Sequence, residues 1–188
     1  MTDFIIRDAE VADVPQIAAI LNQQILDSVA SFRMQPLDDA AALRWYAEHV
    51  DTLFPVLVAQ AASDRSDRSD RSDTASPKIA GWASLSAWSH YEAYARTAEI
   101  SLWIRPEFQR KGLGRRLMQG LIDRATGLEY RVLLSRIEAE NVGSLKLHQQ
   151  FGFRTIGTMH RVGEKHGRLL DVVMLERMLD QDDSVSDA

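Results

Sequence analysis

The chain has no cysteine among its 188 residues. That absence excludes disulfides, thiolate metal sites and any route that passes an acyl group through a cysteine. Long hydrophobic runs are missing too, since no segment approaches the roughly 18 apolar residues of a membrane span. The start, Met1-Thr-Asp-Phe-Ile-Ile-Arg-Asp8, lacks the basic head and long apolar stretch of a secretory leader, so the expectation is a cytoplasmic protein away from membranes. There is no excess of positive charge. A net charge of −5 argues against a general nucleic-acid binder. What remains is ordinary: 45% hydrophobic and 26% charged residues, in a length that fits one domain with a real core.

The pattern along the chain alternates strands and helices. Phe4 to Arg7 reads as a strand, and Asp13-Val-Pro15-Gln16 as a helix start, with Asp13 as N-cap, an early proline and Gln16 three residues on, and with Val14, Ile17, Ile20, Leu21 and Ile25 on one face. A second helix is expected near Asp38, carrying Leu43, Tyr46 and Val50. Pro55 to Ala59 and Ile79 to Leu85 read as paired strands. The Asp/Arg/Ser repeat between them has no apolar residue to bury, so 62–77 is expected to be a low-complexity hairpin loop. Ala98 to Ile104 alternates, with Ile100, Leu102 and Ile104 on one face and Glu99, Ser101 and Trp103 on the other. Leu113, Leu117, Met118, Leu121, Ile122 and Ala125 mark a helix, and Arg131 to Ile137 another strand. A capped helix from Asn141 and an antiparallel pair about a 163–167 turn complete a single domain over 1–179. The acidic tail, 180–188, is expected to be disordered.

Between the alternating strand and the helix at Leu113 lies Gln109-Arg110-Lys111-Gly112-Leu113-Gly114-Arg115. The first turn of a helix leaves its N–H groups unpaired and carries partial positive charge. Glycines let an anion approach that backbone closely. The simplest reading is a pyrophosphate cradle, with Arg110, Lys111, Arg115 and Arg116 adding positive potential. A Walker loop would need Gly-Lys-Ser/Thr, and the dinucleotide fingerprint a third glycine; neither is present.

Ile104-x-Pro-x-x-Gln109-x-x-Gly112-x-Gly114 resembles the acetyl-CoA loop of the GCN5-related N-acetyltransferases (GNAT). A second stretch, Asn141-x-x-Ser144-Leu-x-Leu-His148-x-x-x-Gly-Phe153, resembles that family's other signature, which usually carries Tyr where this chain has His148. Thr97-Ala-Glu99, Phe32-Arg33, His148 and Arg161-Val-Gly-x-Lys165-His166-Gly167 look like the phosphinothricin and methionine-sulfoximine N-acetyltransferase branch. The resemblance implies an α/β (α+β) GNAT fold: a mixed, twisted sheet of about seven strands whose central parallel pair splays apart, flanked by helices. It also implies acetyl-CoA lying in the splay along Leu102, Trp103 and Ile104, its amides meeting strand backbone. It further implies a homodimer and a small-molecule amine as acceptor.

Acyl transfer to an amine needs a base, a polarised carbonyl and a proton for the leaving thiolate. Glu99 is the candidate base, against the plainer reading of a salt-bridged strand carboxylate. A backbone N–H near Trp103 or Ile104 would meet the oxyanion. His148 is the candidate acid for the thiolate, or a group orienting it, or a structural histidine. Asn141 orients pantetheine, caps its helix, or does both. By resemblance, Phe32, Arg33, Trp88, Tyr94 and Arg96 fall in segments like the amino-acid pocket, an arginine suiting a carboxylate. Core packing is the alternative for Trp88 and Tyr94, while Lys165 and His166 either complete the anion site or only shape a turn. The phosphinothricin enzymes carry basic residues just after this Trp; here the chain reads Trp88-Ser89-His90-Tyr91, which weakens a phosphinate acceptor. The expected activity is α-amino acetylation of a small amino acid or analogue. Polyamine or protein N-terminal acetylation and a non-catalytic acyl-CoA sensor are the rivals.

Overall fold

Strands and amphipathic helices alternate through a computed structural model of the chain, which describes residues 4–49, 53–61 and 78–179. The elements are β1 (Phe4–Asp8), α1 (Val14–Asp27), α2 (Asp39–Ala47), β2 (Val56–Ala61), β3 (Ile79–Ala87), β4 (Thr97–Ile104), α3 (Leu113–Gly127), β5 (Val132–Glu138), α4 (Val142–Gln150), β6 (Arg154–Lys165) and β7 (Arg168–Met178). The expected loop at 62–77, the tail at 180–188 and Val50 lie outside the described residues. Among the described residues the strands form one sheet in the order β1-β2-β3-β4-β5-β7-β6. All neighbours are antiparallel except β4 and β5.

Helix α3 lies on one face. Its stripe of Leu113, Leu117, Met118, Leu121, Ile122 and Ala125 is wholly buried, against Leu57, Leu85, Ile100, Leu133 and Ile137 from four strands. Burying each such aliphatic side chain contributes about 1.5–3 kcal/mol before entropy is subtracted, which makes this stripe the main anchor of the helix. Helix α1 covers the opposite face, packing Ile17, Ile20, Leu21 and Ile25 on Val56, Val58, Ile79 and Trp82. The Trp82 indole N–H donates to Ile17 O at 3.2 Å and ties helix to sheet.

Three local expectations need correction. Asp13 does not cap α1 with its side chain; its carboxylate is held by Arg7 and by the Glu10 N–H. Gln16 instead accepts from Ile79 N at 2.9 Å. In α2 the buried residue is Ala42, while Leu43 faces outward, half exposed. The hairpin turn is also tighter than expected. Lys165 pairs with Arg168, so only His166 (φ 51°) and Gly167 (φ 71°) lie in it. Two positive φ values are what a tight two-residue hairpin requires, and the His-Gly pair met that need without an Asn-Gly signature.

Candidate active site

Strands β4 and β5 pair only at Thr97↔Val132, Ala98↔Leu133 and Glu99↔Leu134. Beyond Glu99 they part, although β4 runs on to Ile104 and β5 to Glu138. On its other side β4 stays paired with β3 throughout, with Gly81 opposite Ile104. The Arg105 N–H donates to Ala80 O at 2.9 Å, which fixes the alternation along β4. Trp103 and Ser101 turn their backbone groups to β3, and Leu102 and Ile104 turn theirs into the gap. The sequence expectation named Trp103 or Ile104 as oxyanion donor; the alternation favours Leu102 and Ile104.

A groove of about 560 Å³ runs from this gap to the start of α3, lined by Leu102, Ile104, Gln109, Arg110, Gly114 and Arg115 among others. Gly112 precedes the helix at φ 79°, a backbone that favours glycine, and a Cβ added there would meet nothing within 4 Å. The first bonds of α3 run from Arg115 and Arg116 N–H to Gly112 O, so Leu113 and Gly114 present N–H groups ahead of the ladder. Gly114 is small for another reason. A Cβ there would press on Leu147 at 3.2 Å and Ile104 at 3.3 Å, so this glycine lets α3 sit close to β4 and α4. Arg115 is set by Gln150 at 2.5 Å and by the Phe151 ring. Lys111 lies over Phe108, 5.4 Å from its centroid, outside the groove, and the Leu113 side chain is buried in the core. Asn141 accepts from Ser144 N at 3.1 Å, so it does cap α4, and it also lines the groove with Ser144. Open space beside exposed helix N–H groups, flanked by Arg110, Arg115 and Lys146, fits a pyrophosphate. The free strand edge fits an amide-bearing arm.

The groove continues into a second pocket of about 520 Å³, which shares Leu102, Trp103, Asn141 and Ser144 with the first. Its floor is small because Ser84 and Ser86 of β3 face Ser101 and Glu99 of β4. Trp45, Trp82 and Trp103 form an aromatic wall, with Trp45 and Trp82 centroids 5.2 Å apart. Phe32 and Arg33 line the pocket from the loop after α1. That loop is held by buried Lys165, whose Nζ donates to Ser31 O at 2.7 Å.

The two candidate catalytic groups reach the gap from different elements. Glu99 receives Arg136 Nε at 2.6 Å and an Arg136 terminal nitrogen at 2.5 Å, one on each carboxylate oxygen. His148, on α4, is buried, and burial pulls its pKa below 6.5. Its Nδ1 lies 2.9 Å from Ser144 O; a carbonyl only accepts, so Nδ1 carries the proton. In the neutral ring Nε2 is then an acceptor, 3.1 Å from Ser135 Oγ. A neutral His148 therefore has no Nε2 proton to give, and it lines the pocket together with Ser135.

Three expected acceptor residues do not line the pocket. Arg96 donates to Glu129 O at 2.8 Å and pairs with its carboxylate. Tyr94 sits half exposed in a short 3₁₀ turn. Trp88 lies under Arg136, 5.7 Å from ring centroid to guanidinium carbon. Sequence reasoning missed Arg136, Ser135 and Glu138 on β5 and the tryptophans Trp45 and Trp82, all lining residues. Only the β5 set carried a signal, an Arg and two hydroxyl- or carboxyl-bearing residues interrupting an apolar strand.

Comparison with known proteins places this site in a family. Residues 33–153 match the model of the acetyltransferase (GNAT) family. The L-methionine sulfoximine/L-methionine sulfone acetyltransferase of Pseudomonas aeruginosa is 36% identical over 175 residues, covering 93% of this chain and 94% of that protein. The L-amino acid N-acyltransferase MnaT of Escherichia coli is 33% identical, covering 94% of each. A GNAT superfamily phosphinothricin acetyltransferase from Sinorhizobium meliloti, solved in complex with acetyl-CoA, superposes with a TM-score of 0.85. It is 29% identical, with 100% of this chain and 94% of that one covered. The seven-stranded sheet thus has its counterpart: the chain belongs to the GNAT family and is an N-acetyltransferase that uses acetyl-CoA.

Proposed function

We propose that the chain acetylates the α-amino group of a small amino acid or amino-acid analogue, by direct transfer with donor and acceptor bound together. The observation that carries this is the pocket beside the splay, of amino-acid size, with one carboxylate, Glu99, where the strands part and two guanidinium groups, Arg33 and Arg136, in its lining. Relatives named for methionine sulfoximine, methionine sulfone and L-amino acids support the same class of acceptor. A polyamine would want an acidic pocket; here Glu99 and Glu138 are offset by the two arginines.

Acetyl-CoA supplies an activated thioester, whose acyl group passes to the amine with loss of one proton and formation of a thiol. Arg110, Arg115, Lys146 and the N–H groups of Leu113 and Gly114 hold the pyrophosphate end. Leu102 and Ile104 offer backbone N–H groups to the acyl end. Glu99 takes the proton from the acceptor's ammonium, directly or through water. The proton that the attacking nitrogen gives up as the amide forms passes to the leaving thiolate, while the Ser135 hydroxyl, whose one proton goes to His148 Nε2, lines the pocket beside them. With no cysteine in the chain, no acyl-cysteine stage can intervene. The enzyme acts as a cytoplasmic homodimer; edge strand β6 leaves Ile156 and Val162 more than half exposed, an apolar strip for a second copy to cover.

The test is thiol release from acetyl-CoA with L-methionine sulfone, L-methionine sulfoximine, phosphinothricin, ordinary amino acids, spermidine and a short peptide as acceptors. Acetylation of the amino-acid analogues, confirmed by product mass, is expected. Glu99→Gln should lose most turnover at low pH, where free amine is scarcest, with acetyl-CoA affinity retained. Selective turnover of spermidine or the peptide would displace the proposal.

A further inference from the structure

The acceptor pocket holds an ion pair that an incoming substrate must break. Both oxygens of Glu99 are taken by Arg136, at 2.6 and 2.5 Å. The two residues come from the two central strands, and they meet where strand pairing ends at Glu99↔Leu134. Arg136 keeps 45% of its side-chain exposure while Glu99 keeps 17%, so the guanidinium is the outer partner. Trp88 lies beneath the guanidinium and limits where it can swing. A carboxylate with both oxygens on a guanidinium is poorly placed to receive an ammonium. A zwitterion, however, carries a matched pair of charges, and each can replace one member of the existing pair.

We propose that Arg136 is the anion-recognition residue of the acceptor site: an α-amino acid enters by exchange, its carboxylate taking the guanidinium of Arg136 and its ammonium taking Glu99. This rests on the reading of the acceptor as an amino acid and of Glu99 as its base. The exchange conserves charge inside the pocket, because two ion pairs replace one without leaving any group alone. Binding and activation become one event, since the substrate's own carboxylate frees the base that its amine requires. An acceptor without a carboxylate gets no such help. It must pull Glu99 from Arg136 with no anion to offer in exchange, and the freed guanidinium then repels its ammonium. The site therefore selects against amino-acid amides and simple amines through a repulsive term as well as an attractive one. Arg33 lines the same pocket from the loop after α1, but Arg136 is the guanidinium that holds Glu99 where the strands part.

The experiment compares L-methionine sulfone with its primary amide, in the wild-type chain, Arg136→Gln and Arg136→Lys. Wild type is expected to prefer the acid. Arg136→Gln should raise KM for the acid about tenfold or more, as loss of a charge-assisted contact predicts, and leave KM for the amide unchanged or lower. Arg136→Lys should recover part of the preference, having the charge without the fork. Calorimetric affinity for acetyl-CoA and the melting temperature should stay near wild type, which separates the effect from misfolding. If Arg136→Gln impaired acid and amide equally, Arg136 would only position Glu99 and the proposal would fall. Equal use of acid and amide by wild type would also overturn it, with the acceptor reading intact. Acetylation of neither, alongside turnover of spermidine or a peptide, would remove that reading and the proposal with it.

Discussion

At the scale of single residues, the site is governed by which polar atoms are already spoken for. His148 illustrates it. The imidazole is buried with Nδ1 committed to Ser144 O, and burial holds its pKa below the 6.5 at which it would titrate unfolded. As pH falls through 6.5, the unfolded chain takes up that proton before the folded one does. The His148 contribution to stability is therefore intact above about pH 6.5 and is lost below it. His148→Gln should melt lower than wild type at pH 7.5, and the gap should narrow as pH is taken to about 5; a gap that stayed constant would show that His148 does not titrate in this range. The motif around His148 was legible in sequence because it repeats a spacing. Its protonation state was not, because that depends on a carbonyl one turn earlier in the same helix and a hydroxyl from β5. Gly112 and Gly114 make the same point. They read as one feature, yet one keeps space free outside the chain and the other lets a helix approach a strand.

At the scale of elements, the loop after α1 matters more than its lack of regular structure implies. It carries Phe32 and Arg33 into the proposed acceptor pocket, and the end of β6 fastens it through Lys165. Lys165→Met removes a charged donor from a buried carbonyl, which should destabilise the chain by about 1–3 kcal/mol. Acceptor KM should rise several-fold while acetyl-CoA affinity holds, since the cradle lies on other elements. Kinetics with both substrates varied would check this, and an equal loss for both would mean that the loop supports the whole groove. Sequence pattern located the strands and helices described here: α1 and α3 each bury one stripe at 3.6-residue spacing, and β2 and β3 read as apolar runs because they are buried on both faces. It located the pocket less well. Trp45, Trp82 and Arg136 reach that pocket from three elements distant in sequence, and no local period records which faces converge. Trp88 and Arg96, close in sequence to the pocket strands, turn out to serve Arg136 and Glu129.

At the scale of the whole molecule, the sheet is nearly two sheets. One half is β1 to β4 and the other β5 to β7, joined through three residue pairs along the β4–β5 seam. Backbone groups on the parted edges carry no partner strand, so their amides should exchange with solvent hydrogen far faster than those of the paired edges. Leu102 and Ile104 should exchange quickly in the free chain and slow markedly when acetyl-CoA is added, while Trp103, bonded to β3, should be protected in both states. Equal protection of all three before addition would mean that the seam is closed, and no change afterwards would put the ligand elsewhere. Helix α3 ties both halves into one core, so a ligand that bonds to the open edges should raise the stability of the whole sheet and not of one half alone.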